Sequence, residues 1–179
     1  MTILTYALDT DTTDELAEWT PQQVISWALD RFGYGLVMSS SFQQQSLPLL
    51  HMVSLLAPSL PILFIDTGYH FAETLAFKAR VTAELGLNVI DVHAPPEKHD
   101  LDLPRYHPDL CCYLNKVLPM QEALRGYVAW ITGIRRDQSL QRRDAGRLEY
   151  RDDHMAKINP LVAWTGADIA RYIERYHLP

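Results

Sequence analysis

Cysteine is scarce in this chain: there are two, and they are adjacent, Cys111-Cys112. Neighbouring cysteines seldom reach relaxed disulfide geometry, so the sequence carries no disulfide framework and suits a reducing cytoplasm. Positive charge is also short. Lys and Arg number 16 against 22 Asp and Glu, a formal net charge of −6. That balance argues against a general nucleic-acid surface, and any bound anion must be held by a local cluster of bases. No apolar run is long enough to span a bilayer, and Met1-Thr2-Ile3-Leu4-Thr5-Tyr6 has no basic stretch of the kind that opens a secretory leader. No nucleic-acid or membrane partner is therefore expected. No Asp or Glu stands between Gly33 and Pro61, which speaks against a Mg²⁺-dependent triphosphate site in that region.

What is present is a globular composition, 47% hydrophobic and 21% charged over 179 residues, enough for one good core and a single domain over residues 1–179. The chain is organised around Leu36-Val37-Met38 and the polar stretch after it, Ser39-Ser40-Ser41-Phe42-Gln43-Gln44-Gln45-Ser46. An apolar run of strand length empties into a hydroxyl-rich turn, and a helical pattern follows. Free N–H groups in a helix's first turn, its dipole and the serine hydroxyls together make an anion site. The stretch contains neither glycine nor lysine, so it is neither of the glycine-rich phosphate motifs.

Along the chain, Asp14 to Trp19 suggests a short helix. Thr20-Pro21-Gln22-Gln23 then forms a capping box ahead of Val24, Trp27, Ala28 and Phe32 at helical spacing. Leu47 to Leu56 reads as a strongly apolar helix, with His51 expected to be satisfied within it or exposed. Ile62 to Ile65 is a buried strand running into Asp66-Thr67-Gly68, and Tyr69 to Leu85 the next helix. Asn88 to His93 is a third strand. Residues 94–110 break the pattern with Pro95, Pro96, Pro104 and Pro108. Cys111 to Arg125 resumes as a helix, Val128 to Thr132 is a fourth strand, Leu148 to Ile158 suggests a hairpin, and Thr165 caps a last helix. Strands alternating with helices predict an α/β fold with a doubly wound, mostly parallel sheet. Three polar loops would then open at its carboxyl edge, where an open α/β sheet places its ligand.

Two further features carry chemistry. Arg135, Arg136, Arg142 and Arg143 fall within nine residues. Guanidinium groups bind phosphate or sulfate through paired N–H donors at any useful pH; the alternative is a solvated loop paired with Asp137, Asp144 and Glu149. The Cys111-Cys112 pair has three readings: buried packing, a thiol redox site, or half of a metal site. His99 and His107 could complete zinc only with a spacing that fits no established pattern. Lys116, one helical turn after Cys112, favours a thiolate or an anionic group nearby.

Four segments together resemble the phosphoadenylyl-sulfate/adenylyl-sulfate reductase family of assimilatory sulfate reduction. They are Ser40-Ser41-Phe42-Gln43-Gln44-Gln45-Ser46, Asp66-Thr67-Gly68-Tyr69-His70-Phe71-Ala72-Glu73-Thr74, Cys111-Cys112-Tyr113-Leu114-Asn115-Lys116-Val117-Leu118-Pro119 and Thr132-Gly133-Ile134-Arg135-Arg136-Asp137-Gln138-Ser139. The resemblance implies an adenine-nucleotide α-hydrolase-like (Rossmann-like) fold. It implies a loop around the phosphosulfate from Ser39 to Ser46, adenosine beside Asp66 to Gly68, and Arg135, Arg136 and Arg143 on the anion side. It also implies Lys116 between cluster and substrate, with Cys111 and Cys112 as ligands of a [4Fe-4S] cluster in a branch that usually prefers adenylyl sulfate. The expected reaction is reduction of adenylyl sulfate or phosphoadenylyl sulfate to sulfite, with thioredoxin or glutaredoxin as donor.

Two departures qualify the resemblance. The family's loop commonly has glycine where Gln43 stands. The family also continues past the equivalent of Pro179 into a Cys-x-x-Cys pair and a Glu-Cys-Gly nucleophile. On that ground the chain is expected to be shortened, to hold an incomplete cluster ligand set and to be inactive alone. Two other readings stay open at this point: an ATP-dependent adenylating or sulfur-transfer enzyme of the same fold, and a non-catalytic nucleotide-binding module. The oligomeric state, including a homo-oligomer, is left undetermined.

Overall fold

A computed structural model describes residues 16–94, 103–151 and 155–179. Its centre is a six-stranded sheet of β1 (Leu36–Ser39), β2 (Ile62–Asp66), β3 (Val89–His93), β4 (Ala129–Ile131), β5 (Leu148–Tyr150) and β6 (Ala156–Ile158), in the order β3-β2-β1-β4-β6-β5. Every pairing is parallel except the β5–β6 hairpin. The chain runs outward from β1 through β2 to β3, then returns to β4 on the other side of β1. The strand order therefore reverses between β1 and β4, and the loops after these two strands diverge there and leave a crevice.

One face of the sheet carries most of the core. Leu36, Met38, Ile62, Phe64, Ala129, Ile131, Ala156 and Ile158 point into it and meet α1 (Pro21–Phe32), α2 (Leu47–Leu56), Val81 of α3 (Ala72–Leu85) and Ile169 of the last helix. α1 starts as the sequence requires: the Thr20 hydroxyl accepts the Gln23 N–H and the Gln23 carboxamide oxygen accepts the Thr20 N–H at 2.8 Å. α2 is strongly apolar because Leu47, Pro48, Leu49, Leu50, Met52 and Val53 are buried, while Leu55 and Leu56 at its end are exposed. The other face is thinner. Val37, Leu63, Leu124 and Met155 form its buried cluster, with Met120, Tyr127 and Trp130 packed on them.

Two helices differ from the sequence reading. α3 begins at Ala72, not Tyr69. Asp66 accepts the Gly68 N–H, Thr67 accepts the Tyr69 N–H, and the His70 ring bonds the Ile65 carbonyl at 2.9 Å, so residues 66–70 are committed to a turn. The expected helix from Cys111 is three pieces: α5 (Pro108–Cys112), a π turn (Tyr113–Val117) and α6 (Leu118–Leu124). Pro119 has no N–H for the Asn115 carbonyl and its ring crowds that carbonyl, so the helix widens by one residue there. A single turn, α4 (Leu103–Tyr106), precedes them. Pro95, Pro96 and His99 lie outside the described residues, as do Asp14 and Glu15 of the expected first helix; the described part of it is helical over 16–18. α7 (Gly166–Tyr176) closes the fold behind a Thr165–Asp168 capping box. β3 is an exposed edge strand, protected by the Lys78–Asp91 ion pair at its side.

Candidate active site

Because β1, β2 and β4 are parallel, the polar stretch after each opens on the same edge of the sheet. The serine stretch lies nearest the crevice. Ser39 ends β1, and its Oγ accepts the Trp130 indole N–H at 2.9 Å. The Ser40 Oγ accepts the Phe42 N–H at 3.1 Å. A hydroxyl has one proton to give, and among the described residues these two oxygens accept but do not donate, so both protons are available to a ligand. Gln44 to Ser46 form a single 3₁₀ turn in front of α2. The helix start therefore comes later than a plain N-capped turn would place it, and Ser46 makes no side-chain cap.

Phe42 and Gln43 depart from expectation in opposite ways. Phe42 has a left-handed φ of 51°, while its ring is 1% exposed and packs edge-on against Phe64 at 5.8 Å. Its side chain belongs to the core, and only its backbone remains for a ligand. Gln43 is extended, with φ −85° and ψ 160°, a conformation that needs no glycine. The stretch absorbs its backbone turn one residue earlier, and burial of the Phe42 ring offsets the cost of its positive φ.

The basic loop divides. Arg135 is 5% exposed and its Nε pairs with Asp137 at 3.0 Å. Asp137 in turn accepts the Gly166 N–H at the head of α7. Arg135 thus ties the loop to a helix through Nε, while its Nη1 is buried and has no hydrogen-bond partner among the described residues. Arg136 and Arg143 are exposed; the Arg136 Nε holds the Ala145 carbonyl at 2.8 Å. Arg142 is bonded to Gln138. Beneath the loop lies a buried polar knot around Asn159, which bonds Thr132, Gly146 and Glu149. Burial pushes the Glu149 carboxyl up, but the Lys157 ammonium at 2.6 Å and the Gly146 N–H outweigh it and hold Glu149 below the usual carboxylate range.

On the neighbouring side, a cavity of about 250 Å³ is lined by Thr67, Tyr69, Cys111, Cys112, Asn115 and Lys116 among others. It brings the turn after β2 beside the cysteine pair and the lysine. The Asp66 carboxylate lies 3.6 Å from the His93 Nδ1. Cys111 is buried and Cys112 exposed, and the Asn115 carboxamide donates to the Cys111 carbonyl at 3.2 Å. The chain contains two thiols where a [4Fe-4S] cluster takes four ligands, usually cysteine. The residues in hand do not complete that set. Among the described residues no three His, Cys, Asp or Glu side chains converge as a metal site.

Trp130 and Asn159 were not legible as site residues. Their roles depend on pairings over 91 and 27 residues, and as single letters they read as strand and loop residues. His51, by contrast, is satisfied as expected: its Nδ1 meets the Tyr172 hydroxyl at 3.0 Å.

The chain matches the phosphoadenosine phosphosulfate reductase domain family over residues 35–179. It is 35% identical over 171 residues to an adenosine 5'-phosphosulfate reductase of Rhodococcus opacus, an alignment covering 92% of this chain and 69% of that protein. It is 36% identical over 184 residues to a phosphoadenosine 5'-phosphosulfate reductase of Gloeobacter violaceus, covering 96% of this chain and 76% of that one. Among solved structures it superposes on phosphoadenylyl-sulfate reductase from Candida auris with a TM-score of 0.83 at 28% identity, covering 98% of this chain and 90% of the other. An NH3-dependent NAD synthetase from Campylobacter jejuni shares the fold at a TM-score of 0.61 and 14% identity, covering 96% of this chain and 75% of the other. Among the described residues no helix is long and apolar enough to cross a membrane.

Proposed function

The chain belongs to the phosphoadenosine phosphosulfate reductase family, and from that premise we propose that it binds a sulfonucleotide at the carboxyl edge of its sheet and serves its reduction to sulfite in sulfate assimilation. One observation carries the reading: Ser39 and Ser40, beside the crevice, both keep a hydroxyl proton free for an acceptor-only ligand. A phosphosulfate offers only acceptors. Ser39 to Ser46 hold it through hydroxyls and backbone N–H groups. Asp66 to Gly68 lie along the adenosine, and Arg136, Arg143 and Lys116 supply the balancing charge. Phe42 contributes backbone alone, and Arg135 acts through the loop it anchors.

The substrate is adenylyl sulfate in preference to its 3′-phosphorylated form. The tandem cysteines support that choice, as does similarity to several adenosine 5'-phosphosulfate reductases. Thioredoxin or glutaredoxin is the electron donor and the cytoplasm the setting. Attack on the sulfur requires a thiolate nucleophile, and the reading gives that task to neither Cys111 nor Cys112. No step is routed through an iron–sulfur cluster, whose ligand set the two thiols leave half filled. This chain's own residues bind and orient the nucleotide. Competition calorimetry with the two nucleotides tests the reading. Adenylyl sulfate should bind at least as tightly as the phosphorylated form; a strong preference for the latter would overturn the substrate assignment, and no binding of either would overturn the function.

A further inference from the structure

We propose that Trp130 is a positioning residue of the nucleotide site: its indole N–H occupies one lone pair of the Ser39 hydroxyl and so orients that hydroxyl to donate its proton toward the ligand. The inference rests on the reading above and deepens it. Trp130 is on β4 and Ser39 on β1, the two strands between which the sheet order reverses. In the register Trp130 stands opposite Val37. Ser39 is therefore two residues nearer the carboxyl edge on the same face. The indole reaches up along the strand direction and ends on the Ser39 Oγ at 2.9 Å. The bond spans the floor of the crevice.

Its direction is not in question. An indole nitrogen donates and never accepts, so the Ser39 oxygen is the acceptor and its own proton must point elsewhere. Accepting a bond also polarises the O–H and strengthens what it donates. The ring is held firmly enough to impose this. It packs in the cluster of Val37, Leu63 and Leu124, and the Arg151 guanidinium lies over it at 5.6 Å. An unanchored serine can turn either lone pair toward an anion; here one lone pair is held by Trp130, which narrows the directions open to the hydroxyl and favours the proton facing the ligand.

The test is a double-mutant cycle on the full chain, titrating adenylyl sulfate into wild type, Trp130→Phe, Ser39→Ala and the double variant. Trp130→Phe keeps an aromatic ring and removes the N–H. Loss of one such bond should weaken binding about three- to tenfold. The double variant should bind no more weakly than Ser39→Ala alone, because Trp130 acts through Ser39. Equal affinity of Trp130→Phe and wild type, or fully additive losses, would overturn the inference while leaving the nucleotide site intact. Absence of binding by wild type would overturn both. A second measurement does not depend on the Trp130→Phe fold. In wild type the indole ¹H–¹⁵N resonance of Trp130 should shift on adding adenylyl sulfate, and in Ser39→Ala at saturation that shift should vanish. An unmoved resonance in wild type at saturation contradicts the proposal.

Discussion

The hydroxyl of Thr132, the residue that follows β4, donates to the carboxamide oxygen of Asn159, just beyond β6, and both side chains are almost wholly buried. The amide nitrogen of the same Asn159 reaches the Gly146 carbonyl at 2.8 Å and Glu149 at 3.3 Å. Thr132 precedes the arginine loop and Gly146 closes it, so one carboxamide fixes both ends of the loop. Asn159→Leu would leave a hydroxyl and a carbonyl without partners in the interior. The expected cost is about 2–3 kcal/mol, read as a fall in melting temperature of about 5–10 °C. An unchanged melting temperature would show that the loop ends are held by other contacts.

The arginines of the loop should separate into two groups by measurement. Arg135→Ala strands Asp137 beneath the head of α7 and should cost about 2–4 kcal/mol of stability, somewhat less than a fully buried pair because Asp137 is partly exposed. Arg143→Ala should leave stability within about 0.5 kcal/mol and cost about 1.5–3 kcal/mol of nucleotide affinity, the range for a charged hydrogen bond. Denaturation and titration of the two variants check this; an Arg143 variant with full affinity would mean that this side chain is merely solvated.

His51 and Tyr172 set opposite pH limits on stability. Burial lowers the His51 pKa, so the folded ring resists protonation. The unfolded chain takes up that proton near pH 6.5. The His51 contribution is therefore full above about pH 6.5 and is lost as pH falls below it toward the lowered folded value. Tyr172 is pushed up to about 12, first by burial and then by its neighbour Tyr176. The unfolded phenol ionises near pH 10, so its contribution is full below about pH 10 and declines as pH rises toward 12. Urea midpoints between pH 5 and 11 should show both limbs. Tyr172→Phe should flatten the alkaline one and His51→Phe the acidic one; limbs that survive these changes must come from other groups.

Iron and sulfide analysis after anaerobic reconstitution should find no stoichiometric cluster on this chain, since it offers two thiols against the four ligands required. Nucleotide binding by the same protein should persist. Stoichiometric iron would show that a second copy or non-cysteine ligands complete the site.

The strands, most helices and the α/β class were legible from the residues alone. Those depend on local regularities: the Thr20 and Thr165 capping boxes, the apolar runs at Leu36, Ile62 and Ala129, and the turn at Asp66-Thr67-Gly68. The sequence also marked the polar stretches that follow β1, β2 and β4. It did not show which residues in them face a ligand. Phe42 sits in the serine stretch yet its ring fills the core. Arg135 sits in the basic loop yet is buried, with its Nε on Asp137. Trp130 and Asn159, which look like ordinary strand and loop residues, hold the crevice floor and the loop ends. Tertiary structure decided these points because a side chain's role depends on what the sheet register sets beside it. Register is fixed by pairings between strands distant in the chain, and no local pattern around one residue contains its partner.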